Sequence, residues 1–145
     1  MKKFSVIAMG MLGMGLLFSQ VASADWTLNN DSSVLNFVSI KKNTIGEAHR
    51  FNQLAGTLSQ NGAFKATINL ASVNTNIPVR DERMKSMLFD VATFPQADIS
   101  GNTVNTFKAP AAGEAKIEAV KLQLVINGKT IPLETRLRVA VSYTH

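Results

Sequence analysis

The sequence has no cysteine. Thiol nucleophiles, thiolate zinc sites and disulfide staples are thereby excluded, so an exported chain of this composition must stand on its core alone. Histidine is scarce as well, with two residues, and tryptophan and tyrosine appear once each, as Trp26 and Tyr143. His145 is the final residue, a poor place for a rigid base, and His49 in "GEAHRF" reads as a surface or loop histidine near a strand start. No serine sits in a G-x-S-x-G elbow, and an i, i+4 histidine pair, an EF-hand loop and a phosphate-cradling glycine motif are all missing. Lys and Arg are spread without a basic block or an interleaved aromatic series, so nucleic acid is not expected as a partner.

The chain has 145 residues and a formal net charge of +5. Its first 24 residues read as an export signal. Lys2 and Lys3 precede the apolar run "FSVIAMGMLGMGLLF", which is glycine-broken and short for a membrane span, and Ala22-Ser23-Ala24 forms a small-x-small cleavage pattern. The expected mature protein therefore starts at Asp25, lies in the periplasm and forms one domain over 25–145. Lys2 and Lys3 supply two of the net positive charges, so the mature chain is only mildly basic.

Within that domain the recurring period is two. In "GAFKATINLAS", Phe64, Ala66, Ile68 and Leu70 alternate with Lys65, Thr67 and Asn69, as expected for a strand with one dry and one wet face. Asn127-Gly128 lies between two alternating runs, and a type I′ turn there requires positive φ at both positions. The turn sets a register: Ile126 opposite Lys129, Leu124 opposite Ile131, Leu122 opposite Leu133, and Lys121 opposite Glu134 as a cross-strand charge pair. Pro132 falls on the wetter face, which points to an edge. "SVLNFVSIK" has apolar residues on both faces and is expected to be covered on both. "HRFNQLAGTLS" reads as one strand bent at Gly56, and "ADISGNTVNTF" as one or two short strands.

Only 80–90 resembles a helix, with Met84, Met87, Leu88 and Val91 at helical spacing and Arg80, Asp81, Glu82, Arg83 and Lys85 on the other side. Many strands with one short helix make a mainly β fold, an antiparallel barrel or sandwich. Asp81, Glu82 and Asp90 are the available carboxylates for acid–base chemistry. First-turn charges favouring the helix dipole, and a pairing of Arg80 or Arg83 with Asp90, are the structural reading preferred over a hydrolase, since no second polar cluster converges on them. A barrel of this size either fills its interior or holds a ligand. With few bulky side chains for plugging, the helix is expected to cap one mouth with its methionines as an adaptable lining.

Specific residues carry a family resemblance. "DWTLNNDSSVLNFVSIKK", "ASVNTNIPVRDERM" with its Arg80-Asp81 pair, "LFD" at 88–90, "FPQADI" from Phe94 and "INGKTIPL" make the chain resemble the YceI-like family of periplasmic, lipocalin-like polyisoprenoid-binding proteins. The resemblance implies an antiparallel lipocalin-like β-barrel whose pore holds a polyisoprenoid or similar amphiphilic lipid, for example a polyprenyl quinone, with no catalytic group and no cofactor. Such a carrier, storage or stress-response protein is open to transient membrane contact and to a homodimer. Family members continue through further strands after the Gly-x-x-x-Pro segment, so the chain is expected to be a C-terminally truncated, incomplete barrel. A β domain that binds a partner and no lipid is the competing reading. By strand phase and place in the helix, the expected lining is Phe37, Phe51, Phe64, Ile68, Leu70, Met84, Phe89, Phe94, Leu122 and Leu124.

Overall fold

A computed structural model describes residues 26–103, 111 and 113–140. The expected signal segment, together with Tyr143 and His145, lies outside the described residues. The fold is mainly β with antiparallel pairing throughout, in two sheets. Strands β1 (Trp26–Thr27), β4 (Leu54–Leu58), β5 (Ala63–Asn69), β7 (Gln96–Thr103), β8 (Ala115–Ile126) and β9 (Lys129–Ala140) form the larger sheet in the order β1-β4-β5-β7-β8-β9. β2 (Leu35–Lys41), β3 (Ile45–Phe51) and β6 (Val73–Asn74) form the smaller one. Among the described residues the two sheets do not join edge to edge, so the architecture is an open form of the expected barrel.

The β8–β9 hairpin has the register that Asn127-Gly128 dictates. Ile126 faces Lys129, Leu124 faces Ile131 and Leu122 faces Leu133. Asn127 and Gly128 take φ of 49° and 71°, the left-handed pair of a type I′ turn. Lys121 Nζ lies 3.8 Å from Glu134 Oε1, with both side chains solvated, a pair that adds little stability. Pro132 sits in β9, an edge strand of its sheet, where a missing N–H is tolerated.

Three other expectations are corrected. The segment "HRFNQLAGTLS" is two strands of different sheets, broken at Asn52-Gln53 and not bent at Gly56. Long-range bonds hold that crossing: the Asn52 amide donates to Ser72 O, the Gln53 amide to Ser72 Oγ, and the Leu54 amide to Asn30 Oδ1. "SVLNFVSIK" is covered on one face only, since Leu35 and Phe37 turn inward while Val34, Val38 and Ile40 stay exposed. The helical segment is also not a plain α-helix. α1 (Pro78–Arg83) starts with proline at its first position, where no N–H is needed, and passes at Met84 into a single π turn to Leu88.

The π turn decides which face is buried. The Phe89 amide donates to Met84 O at 2.9 Å, an i→i−5 bond. One extra residue per turn rotates the pattern, so Met84, Phe89 and Val91 meet the core while Met87 and Leu88 are left outside. The core lies between the sheets: Phe51 and Val73 from one, Ile68 and Ala97 from the other, with Leu70 and Phe89 between.

Candidate functional site

The interior is a lengthwise arrangement set by register. Ile68 pairs with Ala97 near the hairpin-turn end of the larger sheet, and Phe64 pairs with Gly101 away from it. The helical segment closes the hairpin-turn end. There Asn127 Nδ2 donates to Leu88 O at 3.1 Å, and a methyl on Gly128 would stand 3.2 Å from Phe94 Cε1. We refer to residues 78–94 as the lid.

Beyond Ile68, on the side away from the lid, lies a cavity of about 410 Å³. Phe64, Ala66, Ile68 and Ile99 form its floor on the larger sheet; Leu54 and the stretch from Ser33 to Leu35 form its walls. Every lining residue but Ser33 is apolar. Its volume is that of a small-molecule pocket. A second hollow of about 640 Å³ along β5, β7, β8 and β9 includes Phe64 and Leu122 together with Lys121 and Glu134, and is more polar at its rim.

Between cavity and lid stands an aromatic cluster. The ring centroids of Phe37 and Phe51 are 5.1 Å apart, those of Phe51 and Phe89 5.7 Å, and Phe37 meets Phe89 edge to face at 6.5 Å. These are favourable quadrupole arrangements in a dry interior.

Under the lid the interior becomes polar. Strand pairing places Phe37 opposite His49 and Ser39 opposite Glu47. His49 is a correction to the sequence reading: it is 4% exposed and lies in the middle of β3. Its Nε2 is 2.8 Å from Ser39 Oγ and 3.9 Å from Glu47 Oε2, and its ring packs 5.2 Å from Phe37. Arg80 pairs with Glu47, not Asp90, and also donates through Nη2 to Thr75 O at 2.9 Å. Asp90 contributes its backbone carbonyl, which accepts from the amides of Thr93 and Phe94. Asp81 accepts from both the amide and the hydroxyl of Thr75. Burial raises the Asp81 carboxyl, but those two bonds and the charges of Lys85 and Arg80 outweigh it and hold the group below its ordinary value. Glu82 is engaged with Lys85 at 2.9 Å. Of the three carboxylates weighed for acid–base work, those of Asp81 and Glu82 thus take separate structural partners, and Asp90 serves through its backbone.

Of the ten residues expected to line a pore, Phe64 and Ile68 line the cavity. Phe37, Phe51, Leu70, Met84, Phe89 and Leu124 join Ile68 in the packed core. Phe94 packs at the hairpin turn, and Leu122 covers Gly101 beside the second hollow. The sequence reading missed Leu28, Leu35, Leu54 and Ile99. Leu54 and Ile99 were reachable, because each continues the period-two phase of Ile68 across the sheet.

Comparison with known proteins agrees with this arrangement. The YceI-like domain matches over residues 26–144. A polyisoprenoid-binding domain from Saccharophagus degradans, implicated in plant cell wall breakdown, superposes with a TM-score of 0.75 at 35% identity, covering 83% of this chain and 70% of that one. BcnA from Burkholderia cenocepacia superposes at 0.60 with 22% identity over 81% of this chain and 72% of that one, a likeness of fold. A comparison with curated proteins gives no match. The lipocalin-like β architecture, the matched span and the related polyisoprenoid-binding domain together establish that the chain belongs to the YceI-like family.

Proposed function

We propose that this chain is a non-enzymatic periplasmic binding protein for a long polyisoprenoid or similar amphiphile, released from its signal after Ala24. The observation that carries the reading is the apolar cavity, whose Ile68 also belongs to the core packed around Phe37, Phe51 and Phe89, in a family that includes a polyisoprenoid-binding domain. Binding a prenyl chain needs no reacting group. Burying ten methylene equivalents is worth roughly 8 kcal/mol gross. That corresponds to about micromolar affinity before the costs of association. A polyprenyl quinone is a ligand of suitable chemistry.

Loading requires access from a membrane, and the lid end is dressed for it. The β2–β3 turn exposes Ile40 and Ile45 on either side of Lys41 and Lys42, while the lid exposes Val79, Met87 and Leu88, with Ile77 exposed just before it. The Arg80–Glu47 pair ties β3, which follows that turn, to the lid. Native mass spectrometry of the protein purified from the periplasm tests the reading. The expected result is an added mass that organic extraction releases as a prenyl compound. An apo mass, with no uptake of added prenyl lipid, would overturn it.

A further inference from the structure

The two sheets turn different outer faces to solvent. Side chains alternate between the faces of a strand, so the neighbours of inward-facing Phe64, Ile68 and Leu122 show what the larger sheet presents outside. Its outward rows are polar. Lys65 pairs with Ser100 and Ser100 with Gln123, while Asn102 pairs with Lys121 and Lys121 with Glu134.

The smaller sheet is the reverse. Leu35, Phe37 and Ser39 take the inner phase, opposite Phe51, His49 and Glu47. The outer phase then holds Asn36 opposite Arg50, Val38 opposite Ala48 and Ile40 opposite Gly46. A methyl on Gly46 would stand 3.6 Å from Val38 Cγ1, as it must if both face the same way. All six residues are exposed, Val38 at 64%, and Val34 just before the strand is 70% exposed. A strand with apolar residues on both faces suits cover on both. The core covers one face of β2, and the described residues leave the other bare.

Charge decides what fits the bare face. Arg50 borders the stripe on its own face, and Lys41 and Lys42 extend it at the β2–β3 turn. The paired positions of that face carry no carboxylate, because Glu47 has the opposite phase and is held by Arg80. A second copy of the same face would bring Lys41, Lys42 and Arg50 against identical cations with no counter-charge. A leaflet with anionic head groups supplies both parts, apolar contact for Val38 and Ile40 and counter-charge for the cations around them. We infer that the outer face of the β2–β3 hairpin is a docking surface for an anionic membrane. The protein then lies with its smaller sheet against the leaflet and its larger sheet towards water. This surface rests on the lipid-binding reading for its purpose, which is loading. It places a single strand between leaflet and interior, since the other face of β2 carries Leu35 at the cavity and Phe37 in the aromatic cluster.

The full chain is tested with bicelles that carry a nitroxide-labelled lipid. Amide resonances of residues 36–40 and 46–50 should lose intensity beside the label, and those of Lys65, Ser100 and Gln123 should keep it. Val38→Asp and, separately, Ala48→Asp should each weaken binding to phosphatidylglycerol vesicles about tenfold. Neither should change the affinity for geranylgeraniol in detergent. Should both variants misfold, the intensity pattern of the unmutated chain decides alone. Equal loss on both sheets, undiminished binding by folded variants, or binding to phosphatidylcholine as tight as to phosphatidylglycerol would overturn the docking surface. So would a concentration-dependent dimer that Val38→Asp breaks, which would make a second copy the occupant. Docking as expected, with no uptake of geranylgeraniol, would instead overturn the lipid-binding reading and leave the surface as a membrane anchor.

Discussion

At the scale of single residues, two positions show how little space or polarity the interior has to spare. Gly101 lies between Phe64 and Leu122 on neighbouring strands. A methyl placed on it would stand 2.5 Å from Leu122 Cδ2 and 2.6 Å from the backbone oxygen of Lys121, and the latter cannot swing aside. Gly101→Ala is expected to destabilise the protein by about 1–3 kcal/mol, the usual range for overpacking, read as a lowered denaturant midpoint. Asp81 is the second position. Its carboxyl titrates below the ordinary 3.8 in the folded chain, so the stability it contributes is fully present above that value and is lost as the pH falls through the lower, folded one. Asp81→Ala leaves the amide of buried Thr75 without its acceptor and the hydroxyl with only its 3.3 Å bond to Ile77 O, at about 1–3 kcal/mol. Unfolding curves between neutral pH and the acid limit should show a smaller loss of stability on acidification in the variant than in the parent. An identical acid slope would show that Asp81 is not the group being titrated.

At the scale of elements, legibility in the sequence followed the range of the forces involved. The β8–β9 hairpin was readable residue by residue because two adjacent positions, Asn127 and Gly128, dictate its turn and the turn dictates its register. The lid was readable as helical but not in its phase. Nothing local distinguishes a π turn at 84–88; the bond from Asn127 to Leu88 O and the packing of Phe89 between Phe37 and Phe51 select it from outside. The break between β3 and β4 was hidden for the same reason, since Asn30 and Ser72 make it and neither is near in sequence. His49 was misplaced because its polar neighbours Glu47 and Arg50 suggest solvent, whereas Phe37 packs on its ring across the strand pair. Asn127 therefore serves two elements at once. Asn127→Ala loses a residue that tolerates positive φ and the bond to Leu88 O, and should cost about 1–2 kcal/mol. Hydrogen exchange should quicken in 84–94 as well as at the turn. Acceleration confined to the turn would mean that hairpin and lid are not coupled.

At the scale of the whole molecule, the register puts the cavity at one end, the polar cluster at the other and the lid over the latter. Ile40, Ile45, Ile77, Val79, Met87 and Leu88 are exposed at that same lid end, while Val34 and Ile117 are exposed away from it. Met87 is 81% exposed and Ile40 72%, values suited to a surface that meets lipid. Lys41 and Lys42 lie between Ile40 and Ile45 at the turn, where each cation near an anionic bilayer is worth about 1 kcal/mol. The two contributions can be separated. Replacing Ile40 and Met87 by serine removes apolar contact and leaves the charge, and should reduce sedimentation with phosphatidylglycerol vesicles at both low and high salt. Replacing Lys41 and Lys42 by glutamine should reduce it at low salt only, because charge attraction is screened at high salt. None of these side chains lines the cavity or touches the Phe37–Phe51–Phe89 cluster. Affinity for a prenyl alcohol in detergent should therefore be unchanged while transfer of that alcohol from vesicles slows. If transfer keeps its rate in both variants, lipid enters by another route, and the apolar fringe of the lid has some other partner.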